Sequence, residues 1–395
     1  MFALTKELTE SFEAEKNNPH VKRYNVYSAA DIYSILYDIN QSFFSNSFVG
    51  RPLWFRGQSF EHYRLLPSLY RNRENKTADG LKMYSRLSLA EEYRYQNIAA
   101  RVNHLIDTGP NSRVEWQEVL QHHFGKTRFM DWSESLRTAL DFALEAFIDT
   151  LYNEKNAAHR AQMTPVVWVL NPYRLNEHIY DFFAEDSPKA KELIKKALTN
   201  VIYTESQREK LAKNIQEELK RHKDIYFNLG DKEASIDITI DGIVSACILD
   251  KHYHYNAEHM KNMLKSYEFN PFFFLLVRFY TDALPIEVKL DHQMILPPLA
   301  SIQPYHSERI RAQRGTFTIF PNYCREEEAL HIADTELDRI LIESQKEISD
   351  CFCQLRLCDP NRITRDLICA GERRPELYPD IQIYADYLEA QKFHI

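Results

Sequence analysis

Two stretches carry residues whose types and spacing could do chemistry. In Leu53-Trp54-Phe55-Arg56-Gly57-Gln58 an arginine stands between aromatics and a glycine. A guanidinium in such surroundings is costly to bury unpaired, so it needs an anion: a carboxylate of the protein or a ligand. Its planar fork suits phosphate oxygens, which makes Arg56 a candidate for the phosphates of a dinucleotide. The competing reading is a buried structural pair with Asp131. The second stretch, QHHFGKTRFMDWSESLRTALDFA from Gln121 to Ala143, compresses a polar loop, a strand and a helix. His122 and His123 offer a general base or a substrate contact, or a helix end without chemical role; in extended chain they face opposite ways, so one of the two reaches a pocket. Arg128 and Asp131 read first as a structural ion pair and second as ligand contacts. Trp132 reads as core or pocket wall, with stacking on a nicotinamide or a base as the alternative. Gln313 is a hydrogen-bonding residue just ahead of Gly315, and of Arg309 and Arg311 one faces solvent.

These residues need elements to position them. Residues 127–132 read as a short strand with opposite charges three positions apart. Ser133 reads as the N-cap of a helix whose apolar face is Leu136, Ala139, Leu140, Ala143, Leu144 and Phe147. A strand that turns into a capped helix is a common ligand site, because the first turn offers free N–H groups. Residues 52–57 form the strand of Arg56. Ser28 caps a helix running to about Phe44, and 165–170 are a buried strand stopped by Asn171-Pro172. Residues 308–320 read as a short helix turning at Gly315 into a strand. Residues 1–26 are polar and partly frayed, 236–243 are β-like, 271–279 are an apolar run of undecided type, and 337–355 are helical; a helix, a turn at Gly371 and a last helix fill 363–388. Four of the nine glycines, Gly57, Gly125, Gly315 and Gly371, lie inside these stretches, which points to special backbone geometry there.

The totals bound the answer. A chain of 395 residues suits one large domain or two ordinary ones and can bury a substantial core. Hydrophobic residues at 44% and charged residues at 27% are the balance of a soluble globular protein, and a net charge of -8 without a strongly basic stretch disfavours general nucleic-acid binding. The six cysteines show no C-x-x-C spacing and read as reduced, mostly packed thiols of a cytoplasmic protein. The first residues, MFALTKELTE, do not read as a signal peptide, and no apolar run approaches a membrane span, so no membrane partner is expected. His252, His254 and His259 lack the spacing that aligns two metal ligands on a helix face, and no metal is expected. P-loop, Rossmann and nucleophile-elbow motifs are absent.

Taken together, Trp54-Phe55-Arg56-Gly57-Gln58, Leu66-Pro67-Ser68, Gln121-His122-His123, Thr127-Arg128 with Asp131-Trp132-Ser133, and Ala139 with Phe142-Ala143 resemble the FRG-domain family, named for its Phe/Tyr-Arg-Gly motif. Arg309-Ile310, Gln313, Gly315 and Phe317 look like the same family, as does Leu377-Tyr378-Pro379-Asp380, so the similarity spans about residues 50 to 385. One departure is Phe124-Gly125-Lys126-Thr127-Arg128, where the family usually has Gly-x-Pro-Thr-Arg: the glycine is displaced by one and Lys126 stands at the proline, adding a positive charge. More distantly, the order of motifs is similar to that of ADP-ribosyltransferases.

The resemblance implies an α+β fold: a small mixed or antiparallel sheet core, ADP-ribosyltransferase-like, with many surrounding helices. It implies an N-terminal helical segment over 1–50, an FRG domain over 51–330 elaborated by helices at about 172–270, and a C-terminal helical segment over 331–395. It further implies an intracellular, bacterial protein that binds NAD as a substrate in a cleft between the Arg56 strand and the 127–133 strand, with a macromolecular acceptor as a second partner. Arg56, His123 and Gln313 are then the catalytic candidates, and Arg56, Gln58, Thr127, Arg128, Asp131, Trp132 and Ser133 the cofactor-binding ones. Gln313 stands near where an ADP-ribosyltransferase carries a glutamate, and a glutamine cannot stabilise charge in the same way. The alternative is a non-catalytic nucleotide- or protein-binding module, in phage defence or toxin–antitoxin control; a nucleic-acid-processing enzyme is disfavoured by the acidic balance.

Overall fold

Alternation of apolar residues with period two, and a central run buried on both faces, build one large sheet. The computed structural model describes residues 21–43, 53–61, 63, 65–69, 82–83, 120–121, 126–152, 163–176, 209, 213, 298–301, 308–320, 331–332 and 351–369. Within them the strands are β1 (Lys22–Val26), β2 (Trp54–Gln58), β3 (Lys82–Met83), β4 (Phe129–Ser133), β5 (Val166–Leu170), β6 (Leu299–Ser301), β7 (Gly315–Ile319), β8 (His331–Ile332) and β9 (Phe352–Leu357). The helices are α1 (Ala29–Phe43), α2 (Leu136–Tyr152), α3 (Glu308–Ala312) and α4 (Pro360–Cys369). Seven strands form a mixed sheet in the order β1-β9-β5-β2-β4-β7-β6, and β3 pairs with β8 separately. β1 runs parallel to β9 and every other neighbouring pair in the sheet is antiparallel. The fold class is thus the expected one, a mixed sheet accompanied by helices.

β5 reads Val-Val-Trp-Val-Leu and is buried along its whole length, as a strand with neighbours on both sides and covered faces should be. On one face α1, α2 and α4 close a core of Ile32, Ile35, Ile39, Phe55, Ala139, Leu140, Ala143, Leu144, Val167, Val169, Leu355, Ile363 and Leu367. Helices α1, α2 and α4 start on side-chain caps. The Asp31 N–H donates to Ser28 Oγ at 3.3 Å while the Asp31 carboxylate accepts from the Tyr27 N–H at 3.0 Å; Asp359 caps α4 through the Arg362 N–H at 3.0 Å. At the β6 edge the Asn176 amide imitates a strand, donating to the Ala300 carbonyl at 2.8 Å and accepting from the Ala300 N–H at 2.9 Å. Such a side chain blunts an edge.

Several expectations need correction. Residues 351–355, expected to be helical, belong to strand β9 and its approach: Cys353, Leu355 and Leu357 face the helical core while Phe352, Gln354 and Arg356 alternate to the other side. Lys22–Val26, expected to be frayed, is an edge strand whose polar side chains disguise it. β1 and β9 are therefore members of the same sheet as the Arg56 strand. The helix cap at the centre of the chain is Ser135, whose Oγ accepts from the Thr138 N–H at 3.3 Å; Ser133 stays in β4, paired with Gly315. In the turn before β7 the left-handed residue is Arg314, at φ 47°, while a Cβ at Gly315 would lie 3.1 Å from Ile310 Cγ2, close enough that this side chain would have to shift by a few tenths of an ångström. The stretches 236–243 and 271–279, the three histidines from 252 to 259, and the segment beyond Cys369 lie outside the described residues. Among the described residues no helix is long and apolar enough to cross a membrane, and no group of side chains could hold a metal ion.

Candidate functional site

The site begins where the sheet comes apart. β2 pairs along its length with β5, and β4 along its length with β7, but β2 and β4 meet only at Phe55 and Ser133. Beyond that point the two strands diverge, and backbone groups turned toward the gap need other partners. Arg56 supplies one. Its Nη1 donates to the Asp131 backbone carbonyl at 2.5 Å and lies 3.9 Å from the Asp131 carboxylate oxygen Oδ2. The guanidinium thus bridges the split and carries positive charge to its rim. It is not sealed in: the side chain keeps 16% of its surface exposed and borders a cavity of about 340 Å³. That volume is at the lower end for a small-molecule site.

Gly57 decides how close the cavity floor can come. α2 lies against β2 so tightly that a Cβ at Gly57 would stand 1.9 Å from the Ala139 carbonyl oxygen and 2.5 Å from the Ala143 nitrogen. Two alanines on the facing helix and a glycine on the strand are what that approach requires. The same helix then presents Thr138, Ala139 and Phe142 to the cavity.

A chain of hydrogen bonds fixes the acid of the site. Asp131 Oδ2 accepts from Gln121 Nε2 at 2.8 Å, and Gln121 Oε1 accepts from the Thr127 hydroxyl at 2.5 Å. Thr127 Oγ1 accepts from the Phe129 N–H at 3.1 Å, the Thr127 N–H donates to Ser68 Oγ at 3.3 Å, and the Leu69 N–H donates to the Thr127 carbonyl at 3.2 Å. The motif residues around 66–68, at 121 and at 127–131 are therefore one connected structure.

The opposite wall comes from α3 and β7. The Ser133 hydroxyl donates to the Gln313 carbonyl at 2.6 Å and accepts from the Ser135 N–H at 2.9 Å, and the Glu134 N–H donates to the Arg314 carbonyl at 3.1 Å. These bonds hold a turn whose Arg314 sits in a conformation costly for a residue with a Cβ. Burial pushes the Glu134 carboxyl above its usual range, and the nearby Arg314 charge works against that shift.

Of the expected site residues, Arg56, Gln58, Asp131, Trp132, Ser133 and Gln313 all line the cavity. Several of these have committed polar atoms. Gln58 Oε1 accepts from Trp168 Nε1 at 2.9 Å, and Ser133 is occupied as described. Trp132 donates its indole N–H to Thr318 Oγ1 at 3.0 Å and stands as pocket wall. Thr127 and Arg128 do not line the cavity. Arg128 is 1% exposed, and its Nη1 donates to the Phe320 carbonyl at 3.4 Å. The expected Arg128–Asp131 pair is not made: Arg128 lies in the bend before β4, buried against Phe320, and Asp131 turns to Arg56 and Gln121 instead. His122, His123 and Gly125 lie outside the described residues. Arg309 lines the cavity and Arg311 does not.

Sequence reasoning gave no role to Gln121, Tyr63, Phe142 or Thr316, all of which line the cavity. Thr316 is fully buried there, and among the described residues its hydroxyl has no hydrogen-bond partner. Gln121 and Phe142 lay inside recognised motifs, so their position was legible, but spacing alone does not reveal which side of a split sheet a residue meets. Residues 51–150 match the family model of the FRG domain. No curated protein and no solved structure matches the chain.

Proposed function

We propose, from the premise that this chain carries an FRG domain over residues 51–150, that the cavity binds NAD and that the protein cleaves or transfers at the nicotinamide–ribose bond. The observation that carries this reading is the setting of Arg56, a guanidinium that borders an open cavity and is not enclosed in the core. Arg56 and Arg309 bring positive charge to one cavity, suited to a pyrophosphate. Trp132 and Phe142 offer apolar surface to a flat ring. In the reaction the C1′–N bond breaks and its electron pair leaves with nicotinamide. C1′ passes through an oxocarbenium-like state and takes the oxygen of water, or a nucleophile of a macromolecular acceptor, whose proton is released to solvent. The protein's contribution is positioning and fixed charge.

Incubation with NAD and measurement of released nicotinamide tests this. Release by the wild type, and its loss in Arg56→Lys and Arg56→Ala variants of matched thermal stability, is the expected result. The glutamine at 313 favours a second reading, a nucleotide-binding module without turnover; NAD that raises Tm while no nicotinamide appears supports it. Neither release nor stabilisation overturns both.

A further inference from the structure

The polarity of the hydrogen-bond chain ending at Asp131 can be read without ambiguity. An ionised Asp131 only accepts, so Gln121 must present its NH₂ to Asp131 Oδ2 at 2.8 Å and its oxygen to Thr127. The Thr127 hydroxyl, which also accepts from the Phe129 N–H at 3.1 Å, therefore donates to Gln121 Oε1, 2.5 Å away. Thr127 is itself 1% exposed and anchored to Ser68 and Leu69, so this chain has little freedom. Both contacts to the carboxylate, from Gln121 and from Arg56, fall on Oδ2. Oδ1 accepts no hydrogen bond from a described residue, while the side chain is 47% exposed and lines the cavity.

An ionised carboxylate only accepts, so what it lacks is a ligand donor. A cationic donor is disfavoured because Arg56 and Arg309 line the same cavity. A ligand suited to both signs has neutral hydroxyl donors joined to an anion. A carboxylate taking a ribose hydroxyl beside a phosphate site is a known solution to that pairing. We infer that Asp131, oriented by the Thr127–Gln121 pair, accepts the vicinal hydroxyls of a ribose phosphate whose phosphate meets Arg56 and Arg309. Gln121 and Thr127 are positioning residues in this scheme. The inference rests on the nucleotide-binding reading for its ligand class and deepens it by naming the group recognised.

Titration calorimetry with D-ribose 5-phosphate and 2-deoxy-D-ribose 5-phosphate tests it. The wild type should bind the first at least about tenfold tighter, the lower end for a hydrogen bond to a charged group. Asp131→Ala should bring the two sugars within about twofold. Thr127→Val should reduce the discrimination and Thr127→Ser should restore it, at matched Tm, a pattern that a purely structural role for Thr127 would not produce. Equal binding of both sugars by the wild type, unchanged discrimination in Asp131→Ala, or no binding of either sugar overturns the inference. If NAD binds but the sugars are not distinguished, the proposed function stands and this inference falls. If the sugars are distinguished but NAD neither binds nor reacts, the reverse holds.

Discussion

At the scale of the residue, the site is set by what cannot be substituted. Gly57 has no room for a methyl group, since both nearest obstacles are backbone atoms of α2, at 1.9 and 2.5 Å from an added Cβ. Backbone in the middle of a helix cannot step aside as a flexible side chain can. Gly57→Ala should therefore cost at least about 2 kcal/mol, as overpacking of a tight core does, and should lower the urea midpoint with little change in slope. A variant as stable as the wild type would show that α2 can slide. Glu134 gives a test in pH. Burial raises its carboxyl pKa, so the folded protein holds that proton more tightly than the unfolded chain does. The resulting contribution is fully present below the ordinary carboxylate pKa and is lost as pH rises through the raised folded value. Glu134→Gln removes this dependence. Its stability relative to wild type should be higher at pH 7 than at pH 4, and a difference that stays flat over that interval would contradict the assignment.

At the scale of the element, legibility followed the strength of the local pattern. The all-buried run at Val166–Leu170, the helix Leu136–Tyr152 with its i, i+3, i+4 face, and the helix–turn–strand from Glu308 to Ile319 could be read directly, because one period dominated each. β1 could not. Lys22–Val26 sits at an edge, carries polar side chains on most positions and lacks the apolar alternation of an interior strand. β9 was hidden differently: it follows a run with helical pattern, and its switch to period two at Cys351 falls within a few residues. At the site, Arg56 and Asp131 were legible as charges in need of partners, while their actual geometry depended on a fact no single segment contains. β2 and β4 take their full-length partners from β5 and β7 and pair with each other at one position. The gap left by that choice is the cavity, and Arg56, Gln121 and Arg309 reach it from three separated parts of the chain.

At the scale of the whole molecule, the stretch matched by the family model is the site's framework but not a folding unit. Residues 51–150 contain β2 and β4, which share one pairing position, Phe55 with Ser133. The strand that pairs along β2 lies at 166–170, the strand that pairs along β4 at 315–319, and β9, beyond both, is wedged between β1 and β5. The apolar face of α2 packs on β2, and the cluster it enters is completed by Val167, Val169, Leu355, Ile363 and Leu367, which lie outside that stretch. Among the described residues, a fragment of 51–150 would lose that part of the cover and leave two strand edges open, and with them burial and hydrogen bonds that offset the entropy of ordering. Expressed alone, it should show no cooperative transition in urea, whereas the full chain should unfold cooperatively. Removal of residues 351–395 from the full chain should have nearly as large an effect, because it extracts an interior strand and with it the pairing of both β1 and β5. Cooperative unfolding of the short fragment would mean that the Arg56 framework can assemble without its distant strands. In that event the split between β2 and β4, which here depends on each strand's having a better partner elsewhere, would be expected to close into an ordinary antiparallel pair, and the cavity with it.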